Sequence, residues 1–129
     1  DGSWPIRDIV ASRALAAVGS DWPAISPVPN PWPGISALIT RRNPFQPIAG
    51  RLGAAQAIEA KLAVALSSAN GAEMIGFGAV AGRLREGFSA DFIAIDRDVF
   101  SCDPEAIADT KVLQTWFEGR CVHDIRAQA

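Results

Sequence analysis

The sequence predicts an α+β fold, and three features of the chain carry that prediction. An unbroken apolar run over residues 14–20 ends at Asp21 and Pro23, as expected for a strand buried on both faces of a helix-covered sheet. Apolar residues at helical spacing lie on either side of this run. After Ala90 the pattern changes to short strands separated by turns. A chain of 129 residues with 49% hydrophobic content is large enough to form one domain with a core.

The N-terminal third is predicted to form a helix, a strand, a stiff loop and a second helix. Apolar residues at helical spacing indicate the first helix over residues 4–12, which leads into the strand at 14–20. Residues 22–33 contain five prolines, so we expect an extended loop that arches over the end of the strand. Pro33 favours the start of the second helix, over residues 34–42, because its fixed φ angle suits the first helical turn.

The longest helix is predicted over residues 54–69. Its apolar side chains fall on one helical face, at Ile58, Leu62, Ala65, Leu66 and Ala69. Gly71 is expected to end this helix as the residue after its C-cap. The five glycines between residues 71 and 87 interrupt short apolar pieces, which predicts a turn of helix and a connecting strand.

The C-terminal part is predicted to form a small antiparallel sheet. Apolar runs indicate strands at 92–95 and 111–117, with a short helical turn at 104–108 between them. The dipeptide at 118–119, Glu-Gly, is a two-residue turn signal. A β-hairpin that continues into residues 120–123 is therefore expected.

Charge and composition argue against two classes of partner. The net charge of −2 and the pI near 5.3 leave no basic stripe for nucleic acid. No apolar run approaches the roughly 18 to 20 residues needed to cross a bilayer. We therefore expect a soluble cytoplasmic protein that binds neither nucleic acid nor membranes. Cys102 and Cys121 are expected to be reduced thiols, with a disulfide as the alternative.

Asp21 is the main candidate for a catalytic or metal-binding side chain, because βα folds place ligand chemistry at the carboxyl ends of their strands. Gly19 and Ser20 before it let a ligand approach the backbone, and the proline-rich loop can exclude water. A carboxylate that caps a helix or ties down a loop is the alternative explanation. Ser20, Trp22 and Trp32 are the candidates for lining a substrate pocket, although both tryptophans also fit the role of core or loop anchors.

Other types of site are not supported. His123 with two separated cysteines does not supply the three or four ligands of a zinc site, so we expect an ordinary surface or half-buried imidazole. The chain has no G-x-S-x-G motif for a serine nucleophile and no phosphate-binding glycine motif. Arg41 and Arg42 either complement the dipole of a helix C-terminus or bind a substrate carboxylate or phosphate.

Several of these motifs together resemble a known family. The matching segments are GSDWP at 19–23, NPWPGI at 30–35, TRRNP at 40–44, NGA at 70–72, ADFIAIDRD at 90–98 and VLQTWFEGRCV at 112–122. In order and spacing they are similar to the C-terminal segment of the metal-dependent amidohydrolase superfamily. The most similar branch is amidohydrolase family 3, which includes N-substituted formamide deformylases and proteins labelled exoenzyme regulatory.

The resemblance implies a particular fold. It implies an α+β fragment made of the last βα unit of a (β/α)8 TIM barrel plus strands of the accompanying composite β-sandwich. Residues 14–20 would be the eighth barrel strand, and 34–42 and 54–69 the helices that follow it. The expected domains are 1–75, the C-terminal part of the barrel, and 76–129, the C-terminal strands of the sandwich.

The resemblance also implies a function, the hydrolysis of C–N bonds in a small-molecule substrate that is an amide-like compound or a cyclic amide. Asp21 matches the family's strand-eight aspartate, which binds the metal or holds the metal-activated water, takes the proton of that water and passes it to the leaving nitrogen. The implied cofactor is a divalent metal ion, with zinc expected, in the full-length protein.

The family's other metal ligands have no match in these residues. We therefore expect the C-terminal part of a longer enzyme, inactive as an isolated fragment and unable to bind the metal tightly. The exposed strand at 14–20 is expected to cause self-association of the fragment. The alternative is a non-catalytic small α+β binding or regulatory module that derives from such an enzyme.

Overall fold

The computed structural model describes residues 4–24 and 26–128, which form a small α+β fold as predicted. Its helices are α1 (Ile6–Ala11), α2 (Trp32–Thr40), α3 (Ala60–Leu66) and α4 (Ala69–Met74). Its strands are β1 (Phe92–Ile95), β2 (Val112–Phe117) and β3 (Arg120–Asp124). Short 3-10 turns cover Ala54–Gln56, Ala106–Asp109 and Ile125–Gln128.

The core is built around α2, since this helix buries most of its length. The buried apolar side chains come from α2, α3 and three loop or turn positions, and they are Trp32, Ile35, Leu38, Ile58, Ala63, Leu66, Val99 and Ile107. The prediction of a second helix is confirmed with shifted ends, because the helix covers 32–40 and not 34–42. Arg41, in the left-handed region with φ 58°, ends it.

The prediction of one long helix over 54–69 is wrong. Ala57 and Glu59 are extended, with ψ angles of 142° and 153°, and Ile58 between them donates its backbone N–H to Leu38 O at 3.2 Å. Burial of Ile58 against α2 therefore replaces a helical turn. A second break follows at Ser67 and Ser68, whose hydroxyls donate to backbone carbonyls four residues earlier and so compete with the helical hydrogen bonds.

The predicted strand at 14–20 is also not formed within the described ranges. One backbone hydrogen bond, from Val18 N to Leu66 O at 3.1 Å, joins this segment to the rest of the fold. A buried parallel strand needs neighbouring strands to satisfy its backbone groups, and no described strand lies beside this one. The described part of the chain therefore does not show the barrel unit that the resemblance implies.

The glycine-rich stretch after α3 differs from its prediction. Gly71 lies inside α4 and does not end a helix, and residues 77–89 form successive turns without the expected connecting strand. Gly82 has φ 85°, and a Cβ added there would lie 2.6 Å from the Cβ of Ala72. Glycine is therefore required where this turn packs against α4.

The three strands form an antiparallel sheet in the order β1-β2-β3, which confirms the predicted strands and hairpin. Phe92 pairs with Trp116 across the first ladder, and their rings stack with centroids 5.4 Å apart. The turn between β2 and β3 has φ 47° at Glu118 and φ 75° at Gly119. Positive φ at both central residues is what a type I′ hairpin turn requires.

The sheet is only partly covered by the rest of the described chain, with Ile95 packed against the core cluster. Every residue of its three strands is at least partly exposed, and Phe117 and Val122 keep more than half of their accessible surface. The division into domains 1–75 and 76–129 stays a prediction. In the portions of the chain that the structure describes, no helix combines the length and hydrophobicity needed to span a bilayer.

Candidate functional site

Asp21 occupies an exposed position at the end of the apolar segment. Its φ of 51° places it in the left-handed region, where aspartate is better tolerated than most residues. Just after it, the backbone N–H of Trp22 donates to Ser20 Oγ at 3.3 Å. Among residues 4–24 and 26–128, no hydrogen bond or ion pair engages the Asp21 carboxylate. Neither helix capping nor loop tying therefore accounts for this side chain.

Two hydrogen bonds hold the segment that leads to Asp21. Besides the bond from Val18 N to Leu66 O, the side-chain amide of Asn70 donates to Ala16 O at 3.0 Å. Ala16 and Val18 also pack against the buried core cluster. The segment is thus fixed on the side that faces α3 and α4.

The three candidate pocket residues lie in different environments. Trp22 is adjacent to Asp21 and 55% exposed, so its indole is accessible beside the carboxylate. Ser20 is half-buried and its hydroxyl accepts the Trp22 N–H. Trp32 is only 5% exposed and belongs to the core at the start of α2, the environment of a core anchor. Its Nε1 has no hydrogen-bond partner among the described residues.

The two arginines at the end of α2 are both engaged with protein groups. The Arg41 side chain is buried, and its Nε donates to Leu52 O at 2.8 Å. Arg42 Nε lies 2.9 Å from Glu105 Oε1 in an exposed ion pair. Arg42 and Glu105 border an open cavity of about 240 Å³, whose lining does not include Asp21.

His123 and the cysteines lie apart from Asp21 in the sequence and do not combine into a site. His123 sits on β3 opposite Thr115, and its backbone oxygen accepts a hydrogen bond from Cys121 Sγ at 3.3 Å. Cys102 is a half-buried thiol and Cys121 an exposed one. Across the described residues, no three His, Cys, Asp or Glu side chains come together in a group able to hold a metal ion.

Three carboxylates, at Asp96, Asp98 and Asp124, have lowered pKa values, and sequence reasoning missed the roles of Asp96 and Asp124. Hydrogen bonds from the Arg97 guanidinium and from the Lys111 backbone N–H hold the pKa of Asp96 well below its usual range. Arg126 and Gln114 lower the pKa of Asp124 in the same way. Both groups tie loops to the ends of the sheet. The sequence pattern that could have indicated these ion pairs is an aspartate directly before an arginine, or two residues before one.

The described residues thus define a small α+β protein whose candidate site is a single exposed carboxylate at the end of an apolar segment. Comparison with protein-family models matches residues 1–123 to the amidohydrolase family, and the chain belongs to that family. This membership assigns it to a family of hydrolases. Neither the curated proteins nor the solved structures include a match to this chain.

Amidohydrolases generally depend on a metal ion, and the described residues can be tested against that requirement. A stable site for zinc or another transition metal takes three or four protein ligands. Asp21 belongs to no group of three or more His, Cys, Asp or Glu side chains in the described ranges. These residues do not hold a metal ion by themselves.

Proposed function

We propose that Asp21 is the catalytic carboxylate of a hydrolase that cleaves C–N bonds in amide-like or cyclic amide substrates. We place this hydrolase in the branch that contains N-substituted formamide deformylases and exoenzyme regulatory proteins. The amidohydrolase match over residues 1–123 supports the reaction class. The observation that carries the assignment to Asp21 is its exposed carboxylate, which no described residue engages.

A carboxylate in this state can transfer a proton in both directions. A carboxylate oxygen can accept a proton and later return it. In the proposed reaction Asp21 takes a proton from the attacking water while the water oxygen bonds to the acyl carbon. The same proton then goes to the leaving nitrogen as the C–N bond breaks, which regenerates the carboxylate.

Trp22 and Ser20 are proposed to line the substrate pocket on either side of Asp21. The exposed Trp22 indole offers an apolar face to the substrate, while Ser20 fixes the backbone of Trp22 through the bond to its N–H. Trp32 is proposed to support the pocket indirectly, because its buried side chain holds the start of α2 against the core.

We further propose that residues outside this sequence complete the active site. The support is that no three His, Cys, Asp or Glu side chains among the described residues form a group that could hold a metal ion. A divalent metal ion, with zinc expected, would be held by those additional residues. The 129-residue chain alone is then expected to be inactive.

The test is the turnover of the complete natural protein that contains this sequence, assayed on N-substituted formamides, simple amides and cyclic amides. Asp21→Asn keeps the shape of the side chain and removes its ability to accept a proton, so we expect kcat to fall about 10²- to 10⁴-fold. Asp109→Asn is the matched control, because Asp109 is another exposed aspartate with no side-chain hydrogen bond among the described residues. Near-native turnover of Asp21→Asn would refute the proposal.

A non-catalytic binding or regulatory module is the second candidate function. It is favoured by the exposed apolar surface of the sheet, which includes Ile93, Phe117 and Val122. Under this alternative the complete protein would show no turnover on any amide in the panel, with or without Asp21.

We also propose that the 129-residue chain associates with itself through the segment 14–20 and its flanks. Trp4, Leu15 and Trp22 are each more than half exposed, and few backbone groups of residues 14–20 have a hydrogen-bond partner among the described residues. Exposed apolar side chains next to unpaired backbone groups favour contact with a second copy.

A further inference from the structure

Asp21 follows a segment of the chain that is anchored to the rest of the described structure at few points. Residues 14–20 belong to no ladder, and the bond from Val18 N to Leu66 O at 3.1 Å is their one backbone bond to a distant residue of the described ranges. The other polar anchor is the bond from Asn70 Nδ2 to Ala16 O, which spans 54 positions in the sequence. Positions before and after these anchors are exposed, at Leu15 and Gly19.

Both anchors originate at the junction between α3 and α4. Leu66 is the last residue of α3 and is 1% exposed. Ser68, with φ −137° and ψ −88°, separates the two helices, and Asn70 is the second residue of α4. The helix α4, which carries Asn70, packs closely against the turn at Gly82, where an added Cβ would lie 2.6 Å from the Cβ of Ala72.

We infer that Asn70 is a positioning residue, which places the Asp21 carboxylate by holding the carbonyl of Ala16. The inference rests on the proposed function of Asp21. A backbone carbonyl needs a donor, and the described chain offers Ala16 O the Asn70 amide. Without that donor the segment keeps Val18 as its remaining polar anchor among the described residues, and Asp21, three residues beyond Val18, gains freedom to move.

The experiment compares Asn70→Ala and Asn70→Asp in the complete natural protein. The aspartate side chain matches asparagine in volume, but its ionised carboxylate cannot donate to a carbonyl. Gln114→Ala is the matched control, since Gln114 is a half-buried primary amide that donates to Asp124 Oδ2 in the sheet. For each variant, kcat and KM are determined. Hydrogen exchange is also measured for peptides covering residues 14–21 and for peptides covering α2.

We expect both Asn70 variants to exchange faster at residues 14–21, with α2 unchanged, which also shows that the core remains folded. We expect kcat to fall about 10- to 100-fold with a KM change of less than about threefold, because a misplaced catalytic group lowers the rate more than binding. The control is expected to leave both exchange at 14–21 and kcat at their wild-type values. A role in packing alone predicts that the aspartate variant behaves like the wild type.

The outcomes separate this inference from the proposed function. If Asp21→Asn abolishes turnover while both Asn70 variants keep wild-type kcat and exchange, the positioning role is refuted and the catalytic role of Asp21 stands. A wild-type result for Asn70→Asp alone refutes the hydrogen-bond explanation. Near-native turnover of Asp21→Asn overturns the proposed function, and the positioning inference falls with it.

Discussion

Arg41 and Leu52 exchange two hydrogen bonds. Arg41 Nε donates to Leu52 O at 2.8 Å, and Leu52 N donates to Arg41 O at 2.8 Å. The pair closes the proline-containing loop 43–51 against the end of α2, with the Arg41 side chain buried. A residue that sequence reasoning assigned to a helix end or a substrate contact therefore also stabilises a loop.

Arg41→Ala is expected to lower the free energy of unfolding by about 1–3 kcal/mol. The substitution leaves the Leu52 carbonyl without its charged donor, which costs more than the loss of an exposed contact. Arg42→Ala is the matched control, and its exposed pair with Glu105 is expected to contribute less than about 1 kcal/mol. Urea unfolding monitored by tryptophan fluorescence measures both. Equal effects of the two substitutions would contradict the structural role given to Arg41.

Leu66→Ala is expected to destabilise the fold by about 2–5 kcal/mol, since Leu66 is one of the two largest fully buried side chains among the described residues. The cavity would open at the end of α3, beneath the segment that carries Ala16 and Val18. Leu84→Ala, at a position 78% exposed, is expected to change stability by less than about 0.5 kcal/mol. Thermal and urea unfolding of the two variants give the comparison, and a small effect at Leu66 would show that the core is packed differently.

Acid is expected to destabilise the sheet region through Asp96 and Asp124. Their pKa values are lowered in the folded state by hydrogen bonds from Arg97 and Arg126, so the ionised form is favoured by folding. The resulting stabilisation is complete above the unfolded pKa of about 3.9 and is lost as the pH falls below it.

Urea unfolding between pH 7 and pH 2 tests this dependence. At pH values below about 4, the unfolding free energy of the wild type is expected to decrease. This decrease is expected to be smaller in the double variant that carries Asp96→Asn and Asp124→Asn. Asp103→Asn serves as the control, because its carboxylate accepts only a local backbone N–H among the described residues. An unchanged acid slope in the double variant would exclude these two groups as its cause.

Leu15→Glu is expected to weaken self-association of the 129-residue chain by at least about tenfold, equivalent to about 1.4 kcal/mol. The introduced charge would have to be buried when the exposed segment meets a second copy. Sedimentation velocity over a range of concentrations measures the effect. Leu84→Glu, outside the segment, is the comparison, and a chain that stays monomeric at all concentrations would refute the proposed association.

The parts of the fold that sequence predicted correctly are those determined by neighbours in the chain. The hairpin at Glu118 and Gly119 needs only two residues with positive φ angles and strand residues on either side of them. The residue types in the sequence indicate both the turn and the strands. The helix at α2 follows in the same way from Pro33 and a stripe of apolar side chains.

The errors arise where a residue distant in the sequence determines the backbone conformation. Ile58 carries the correct helical spacing, but its N–H bonds to Leu38 and its side chain enters the core, so the predicted helix breaks there. Residues 14–20 have the composition of a buried strand, yet no strand lies beside them among the described residues. For the proposed site, the neighbours of Asp21 in the sequence are what predict it, whereas the proposed role of Asn70 depends on a contact 54 positions away and has no local signal.

The order of the strands has a consequence for how the chain acquires its structure. β1, β2 and β3 are neighbours in the sheet in their order along the chain, so the pairings close only the connection 96–111 and the turn 118–119. The meander can therefore form as one cooperative unit soon after Asp124 is synthesised.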